Sequence, residues 1–367
     1  MAIPAHPPDD TFVQLLTPEG ERRENPDFPL TIDDDGIRSL YRDLVLVRRI
    51  DAEATALQRQ GELGLWAQLL GQEAAQVGAG RALRPGDMAF PTYREHGVAW
   101  CRDVDPLTLL GLFRGTTNGG WNPADHGFAL YTIVIGDQCP QAVGYAMGVQ
   151  HDGTEDAVMV FFGDGASSQG DVNEAFIWAS VFNTPVVFFC QNNQWAISEP
   201  LERQTRIPLF QRAWGFGFPG VRVDGNDVLA CLAVSQRMLQ RAREGAGPSL
   251  IEAFTYRMGA HTTSDDPTRY RLDSDVEAWR LRDPLERVRS YLHKQQLVDE
   301  AFFSELDAEA EALATRLRDG VRALPDPQPV DMFTHAYAEP NSLIERQRDQ
   351  FTDYLASFAP EHAGGDA

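Results

Sequence analysis

The chain reads as an α/β protein: a parallel sheet with helices on both faces, followed by a helical C-terminal part. Three observations carry that reading. Short apolar runs rich in Val and Phe recur at 158–162, 186–191, 221–223 and 250–256, and helix-length segments at 172–182 and 228–243 lie between them. Strand and helix in alternation build parallel sheets covered on both sides. Two successive runs also end in polar residues, Asp164 after the first and Asn192-Asn193 after the second. Adjacent parallel strands deliver such residues to one sheet edge, where open α/β sheets bind ligands.

Residues 1–33 are rich in Pro and acids and read as an extended arm. A helix is expected from Asp34 or Asp35 through Leu40, Leu44, Val47 and Ile50 to about residue 60, where Gly61 and Gly64 break it. Residues 72–83 form a second helix whose Ala and Gly suit close packing, and 106–113 a third. The stretch 115–136 is polar and Gly-rich, hence a loop, and 141–149 is helical. From residue 275 onward the pattern is helical, acidic and amphipathic, with Pro325, Pro327 and Pro329 marking a break. The organisation is therefore an arm (1–33), an α/β domain (34–325) and a helical tail (326–367), whose last residues, 361–367, are expected to be disordered.

The 367 residues carry a formal charge of −22. A field of that sign repels phosphate backbones and argues against a nucleic-acid partner. Any anionic cofactor must be held locally, by a metal, a helix N-terminus or a few placed cations. Lys294 is the only lysine, so no phosphate loop ends in Gly-Lys-Ser or Gly-Lys-Thr. Cys101, Cys139, Cys190 and Cys231 are scattered without metal or redox spacing, which favours reduced thiols and a cytoplasmic location. No secretory signal is apparent, and no run reaches the ~20 apolar residues of a membrane span.

The segment Gly163-Asp164-Gly165-Ala166 lies at a strand-to-helix turn. Gly163 and Gly165 let backbone approach a ligand, and the following helix aims its N-terminus at an anion. A dinucleotide fingerprint would need G-x-G-x-x-G, whereas the third glycine is Gly170. An acid in mid-turn would also repel a pyrophosphate unless a cation intervened. Mg²⁺ takes few protein oxygens and prefers substrate phosphates, and Asp164 with Asn193 supplies two such oxygens. Each half alone is equally a capped tight turn and an Asx turn. Of the eight histidines, His261 lies in a polar loop; His6, His96, His126, His151, His293, His335 and His362 show no metal-ligand spacing.

The GDG turn followed by an Asn-Asn pair resembles the thiamine diphosphate motif. Together with PTYREHG (91–97), GQEAAQVG (71–78), QNNQWAIS (191–198), VDGNDV (223–228) and GAHTTSDDPTRYR (259–271), it resembles the α subunit of the E1 component of 2-oxo acid dehydrogenases, from about residue 36 to 345. The resemblance implies the diphosphate-binding half of the thiamine diphosphate fold. It implies Mg²⁺ ligated by Asp164, Asn193 and the main-chain carbonyl of Trp195. Gly163, Gly165 and Ala166 would meet the diphosphate, Tyr93 and Arg94 would contact its oxygens, and main-chain groups of Ile133 and Ile135 would face the aminopyrimidine. His261 would lie beside the cofactor and assist proton transfer.

The glutamate that pairs with the aminopyrimidine in this family belongs to a pyrimidine-binding domain, and this chain shows one α/β pattern only. The resemblance therefore implies a β subunit as partner, in an assembly of two α and two β subunits, and a lipoyl-bearing E2 that accepts the acyl group. The Ala/Gly-rich helix around 71–80 is a possible packing face for the β subunit, or a helix buried within one subunit. Leu65 and Trp66 fall where relatives place apolar side chains near the substrate, though Trp66 equally suits a core. The expected substrate is a branched-chain 2-oxo acid of the 2-oxoisovalerate type, with pyruvate as the alternative. The segment 115–131 lacks the Gly-Arg-x-Met-x-x-His pattern of many relatives, and Asp137 stands where they often carry Thr, which bears on a monovalent-ion site near Gln138. A cofactor-free homologue that only pairs with a β subunit, and an Mg²⁺-dependent phosphotransferase, are the readings from other classes.

Overall fold

A computed structural model describes residues 12–334 and 336–358. The first eleven residues of the expected arm, the segment 361–367, and His6, His335 and His362 lie outside them. Among the described residues there are seven strands: β1 (Met88–Phe90), β2 (Val158–Gly163), β3 (Val186–Asn192), β4 (Trp195–Ala196), β5 (Glu199–Pro200), β6 (Gly220–Asp224) and β7 (Ser249–Phe254). The helices before β3 are α1 (Asp34–Arg59), α2 (Glu73–Ala82), α3 (His96–Cys101), α4 (Pro106–Arg114), α5 (Pro123–His126), α6 (Gln138–Asp152) and α7 (Gly170–Phe182). Then come α8 (Arg212–Gly215), α9 (Val228–Arg243), α10 (Asp273–Arg280), α11 (Pro284–Lys294), α12 (Glu300–Ala323) and α13 (Ser342–Ala356).

Five strands pair in parallel in the order β1-β2-β3-β7-β6. Alternation along each strand divides the core in two. Met159, Phe161, Val187 and Phe189 pack with side chains of α1, α2 and α9 on one face. Val158, Val160, Phe162, Val186 and Phe188 pack with those of α6 and α7 on the other. Both faces are covered, so β2 and β3 tolerate near-continuous apolar sequence. The expected α/β class with a helical C-terminal part is borne out.

The arm is built into this body from residue 13. Val13 bridges Val223 in parallel, adding a short rung outside β6. The N–H groups of Leu15 and Leu16 both donate to Asp227 Oδ2, at 2.6 Å each. The other oxygen of Asp227 caps α9 by accepting from Leu229 and Ala230. Lys294 Nζ donates to the Glu19 carbonyl at 2.6 Å, and the four cysteines are free thiols. Among the described residues no helix is long and apolar enough to cross a membrane.

Burial decides two alternatives that the sequence left open. The helix around 71–80 is buried within the chain. Its glycines serve packing inside the chain: a Cβ on Gly78 would lie 2.6 Å from Cys231 Cβ on α9. Trp66 is fully buried and fills a core. Its indole stacks on His96 with centroids 4.0 Å apart, and its Nε1 donates to Asp51 Oδ1 at 2.8 Å. The region 115–136, expected as loop, carries the short helix α5, capped by Asn122 with Pro123 in its first turn.

Asp51 is a fully buried acid, and burial pushes its pKa up from 3.8 to about 6. Between those values the folded protein binds more protons than the unfolded chain, so this contribution to stability falls as pH rises through the window. An amide can accept the same bonds from Trp66 Nε1 and Leu69 N–H. Asp51→Asn is therefore expected to raise the melting temperature relative to the parent more at pH 7 than at pH 4.5. Equal offsets at the two pH values in thermal melts contradict this account of Asp51.

Candidate functional site

Four neighbouring strands end at one edge and each contributes to a single cavity of about 270 Å³. Tyr93 and Arg94 follow β1, and Gly163, Asp164, Gly165 and Ala166 follow β2. Asn193 and Trp195 follow β3, and Arg257 and His261 follow β7. All of these line the cavity, with Ile135, Gly136 and Gln138 closing it beside α6. The register places Gly163 opposite Gln191 and Asn192 opposite Phe254, which fixes the three strand ends side by side.

The turn after β2 is a short 3-10 segment leading into α7. Asp164 is 1% exposed. Burial raises its pKa from 3.8 to about 6, opposed by a hydrogen bond from Gln204 Nε2 at 2.9 Å. Ser167 Oγ donates to the Asp164 carbonyl at 2.6 Å, which closes the turn. Gly165 is required sterically, because a Cβ there would lie 2.7 Å from Ala196 Cβ in the β4–β5 hairpin.

Asn193 is held by its carboxamide. Its Nδ2 donates to Gln72 Oε1 at 3.1 Å, and its Oδ1 accepts from Trp195 N–H at 3.2 Å. The amide oxygen keeps a second lone pair free to face the cavity. The Trp195 carbonyl accepts one long bond, 3.3 Å, from Arg257 Nη1. The available donor set for a cation is thus one carboxylate, one carboxamide oxygen and one main-chain carbonyl. Among the described residues no three His, Cys, Asp or Glu side chains converge to hold a metal. A hard cation that takes few protein oxygens fits this set; a zinc-type site does not.

The opposite wall is cationic. Arg94 Nη2 donates to the His261 carbonyl at 2.8 Å and to His261 Nδ1 at 3.3 Å, and its Nη1 donates to the Gln68 carbonyl. A guanidinium only donates, so His261 Nδ1 accepts and the ring proton of the neutral form sits on Nε2. Burial first, then Arg94 and Arg257, depress the His261 pKa from 6.5 to about 4. Burial and Arg94 likewise lower Arg257 to about 10. Arg257 Nε and Gln72 Nε2 are buried donors without a partner. Two guanidiniums and two unused donors around one cavity suit an anion such as a diphosphate.

Every expected site residue except Ile133 lines the cavity. Ile133 is 63% exposed and turned to the outer surface beyond Ile135. Asp137 faces away, accepting from Gln141 Nε2 at 2.6 Å. The loop after His261 is pinned: Thr263 exchanges bonds with the Trp66 backbone, and Asp265 accepts from His261 N–H at 2.9 Å. Sequence reasoning missed Gln72, Arg257 and Gln204. Arg257 had a usable signal, since it directly follows an apolar strand run as Asp164 and Asn193 do.

The description of the dehydrogenase E1 component family matches residues 41–328. The chain is 46% identical to the 3-methyl-2-oxobutanoate dehydrogenase subunit alpha of Mycobacterium tuberculosis (strain ATCC 25618 / H37Rv), over 94% of each chain. It is 35% identical to the pyruvate dehydrogenase E1 component subunit alpha of Acholeplasma laidlawii, over 86% of this chain and 92% of that one. It is 34% identical to the corresponding subunit of Bacillus subtilis (strain 168), over 92% of each. The chain belongs to the dehydrogenase E1 component family. The expectation of a 2-oxo acid dehydrogenase α subunit is thereby met, and the family implies thiamine diphosphate as cofactor.

Gly165→Ala brings a methyl group against Ala196 and must spread the turn from the hairpin. We expect weaker thiamine diphosphate binding, by tenfold or more (about 1.4 kcal/mol or above), with the helical circular dichroism unchanged. Titration calorimetry measures this, and parent-like affinity would mean that the turn and hairpin need not touch.

Proposed function

We propose that the chain is the α subunit of a branched-chain 2-oxo acid dehydrogenase E1 component. It would act with a β subunit on 3-methyl-2-oxobutanoate and related acids, passing the acyl group to the lipoyl group of an E2 protein. The observation that carries the catalytic part is the convergence of Asp164, Asn193, Arg94, Arg257 and His261 on one cavity at the ends of four parallel strands. The substrate rests on the higher identity to the 3-methyl-2-oxobutanoate enzyme, 46% against 34–38% for pyruvate enzymes.

In this reading Mg²⁺ is held by Asp164, Asn193 Oδ1 and the Trp195 carbonyl. Gly163, Gly165 and Ala166 meet the diphosphate at the turn, while Tyr93, Arg94 and Arg257 supply the counter-charge. Main-chain groups of Ile135 would face the aminopyrimidine end, with Ile133 outside the cavity lining of this chain. Thiamine diphosphate supplies the acidic carbon and electron sink for cleaving the bond to the carboxylate, and the protein positions it. His261 stays neutral at pH 7 and offers Nε2–H as a hydrogen-bond donor, with Nδ1 tied to Arg94. Decarboxylation by the α–β complex should be faster with 3-methyl-2-oxobutanoate than with pyruvate. The reverse order of kcat/KM would reassign the subunit to pyruvate. Asp164→Ala should abolish Mg²⁺-dependent turnover.

The β partner is supported by an exposed apolar face. The second half of helix α7, from Ala175 to Phe182, is apolar on nearly all sides, yet Ile177, Trp178, Val181 and Phe182 are 44–72% exposed. A helix of that pattern belongs in an interior. Gly144 and Gly148 of α6 open beside it with no atom near a notional Cβ, leaving room for close approach. Val181→Glu is expected to prevent co-purification with the β subunit while leaving the α fold intact by circular dichroism. An undiminished complex on size-exclusion chromatography would put the partner elsewhere.

A further inference from the structure

We infer that Gln204 is a positioning residue of the cation site: it holds one oxygen of Asp164 and leaves the other to the metal. This rests on the reading of Asp164 as a metal ligand. Gln204 Nε2 lies 2.9 Å from Asp164 Oδ2 and 3.4 Å from the Glu199 carbonyl. Both neighbours only accept, so the amide must present its nitrogen to them. Its Oε1 is thereby turned to the other side, near Gly165, where it is buried without a donor.

The side chain is built into the turn. Gln204 N–H donates to the Leu201 carbonyl at 2.9 Å, and the Gln204 carbonyl accepts from Arg212 Nη2 at 3.4 Å. The same arginine grips the turn itself, donating through Nη1 to the Ser167 carbonyl at 2.8 Å and to Ser167 Oγ at 3.1 Å. Gln204 therefore links the Asp164 turn to the chain leaving the β4–β5 hairpin, whose first residue is Trp195. Two of the three expected ligands are fixed relative to each other through it.

A neutral amide is the chemistry this position calls for. An Arg or Lys would bring a positive charge beside the cation and neutralise Asp164. A Glu would repel Asp164 and the diphosphate. Gln restrains the carboxylate and leaves its charge intact. Groups that orient a metal ligand contribute substantially to affinity.

The test uses the assembled α–β complex with thiamine diphosphate and Mn²⁺, whose free ion is counted by electron paramagnetic resonance. Gln204→Met keeps the length and removes the donor; we expect the Mn²⁺ dissociation constant to rise about 10–100-fold. At saturating Mn²⁺ the bound-ion spectrum should differ from the parent's, because Asp164 is free to turn. If Gln204→Met fails to assemble, Gln204→Asn, whose amide cannot reach Asp164, is measured in the same way with the same expectation. Parent-like affinity with a parent-like spectrum overturns the inference. Asp164→Asn is run alongside: if it binds Mn²⁺ as the parent does, the metal site itself is wrong. If it loses Mn²⁺ while the Gln204 variant does not, only the role of Gln204 falls.

Discussion

The site depends on one constraint, the parallel pairing of β2 with β3 in the register that sets Gly163 against Gln191. The direction brings both carboxyl ends to one edge. The register puts Asp164 within one residue of the level of Asn193. A slip of one residue would exchange the two faces of the strand, moving Phe161 into the layer of α6 and α7 and Phe162 into that of α1 and α2. Both layers are closely packed, so the core enforces the register that the chemistry needs. Extending the pairing to β1 and β7 adds Arg94 and His261 at no further structural cost. The sixth strand is spared: β6 ends at Asp224, which binds the buried Arg287 at 2.9 Å and takes no part in the cavity.

Charge at this edge is arranged in opposition. Asp164 is desolvated with a neutral amide donor beside it, while Arg94 and Arg257 face the same space and burial, then Arg94, disfavours the charge of Arg257. His261 absorbs the excess by staying neutral. None of these groups is well served by the protein alone. An ion pair of opposite polarity, cation against Asp164 and diphosphate against the arginines, would relieve both walls at once. A chain of net charge −22 could hold a polyanion in this way, because the relevant field is local and two buried guanidiniums outweigh distant, solvated carboxylates.

Much of this was legible in the sequence, for reasons of length and position. Strands β2 and β3 are long apolar runs, so their ends, Asp164 and Asn193, stood out. β1 has three residues, too few to show a period, and Tyr93 and Arg94 were found only through family resemblance. The β4–β5 hairpin pairs two residues with two and carries no pattern. Gln204 lies beyond that hairpin, and its contact with Asp164 is tertiary. Trp66 was ambiguous because a large apolar residue suits a pocket or a core; what decides is Asp51, fifteen positions earlier, which takes the indole proton.

The glycine-rich helices show why composition alone could not choose between a partner face and an internal one. Small residues permit close approach but do not say what approaches. On α2 the space is filled by α9 of the same chain; on α6 the space beside Gly144 and Gly148 is open. The open side continues into the cavity rim, where Ile135 and Ile197 are 40% and 57% exposed around a polar interior. Apolar lips on a charged cavity are costly in water and useful only when covered. A β subunit seated on α7 would extend over that rim, removing water from the reacting end and strengthening each electrostatic contact within. On the proposed reading this chain would supply the diphosphate end, and its open, apolar end is the side from which the rest of the active site would arrive.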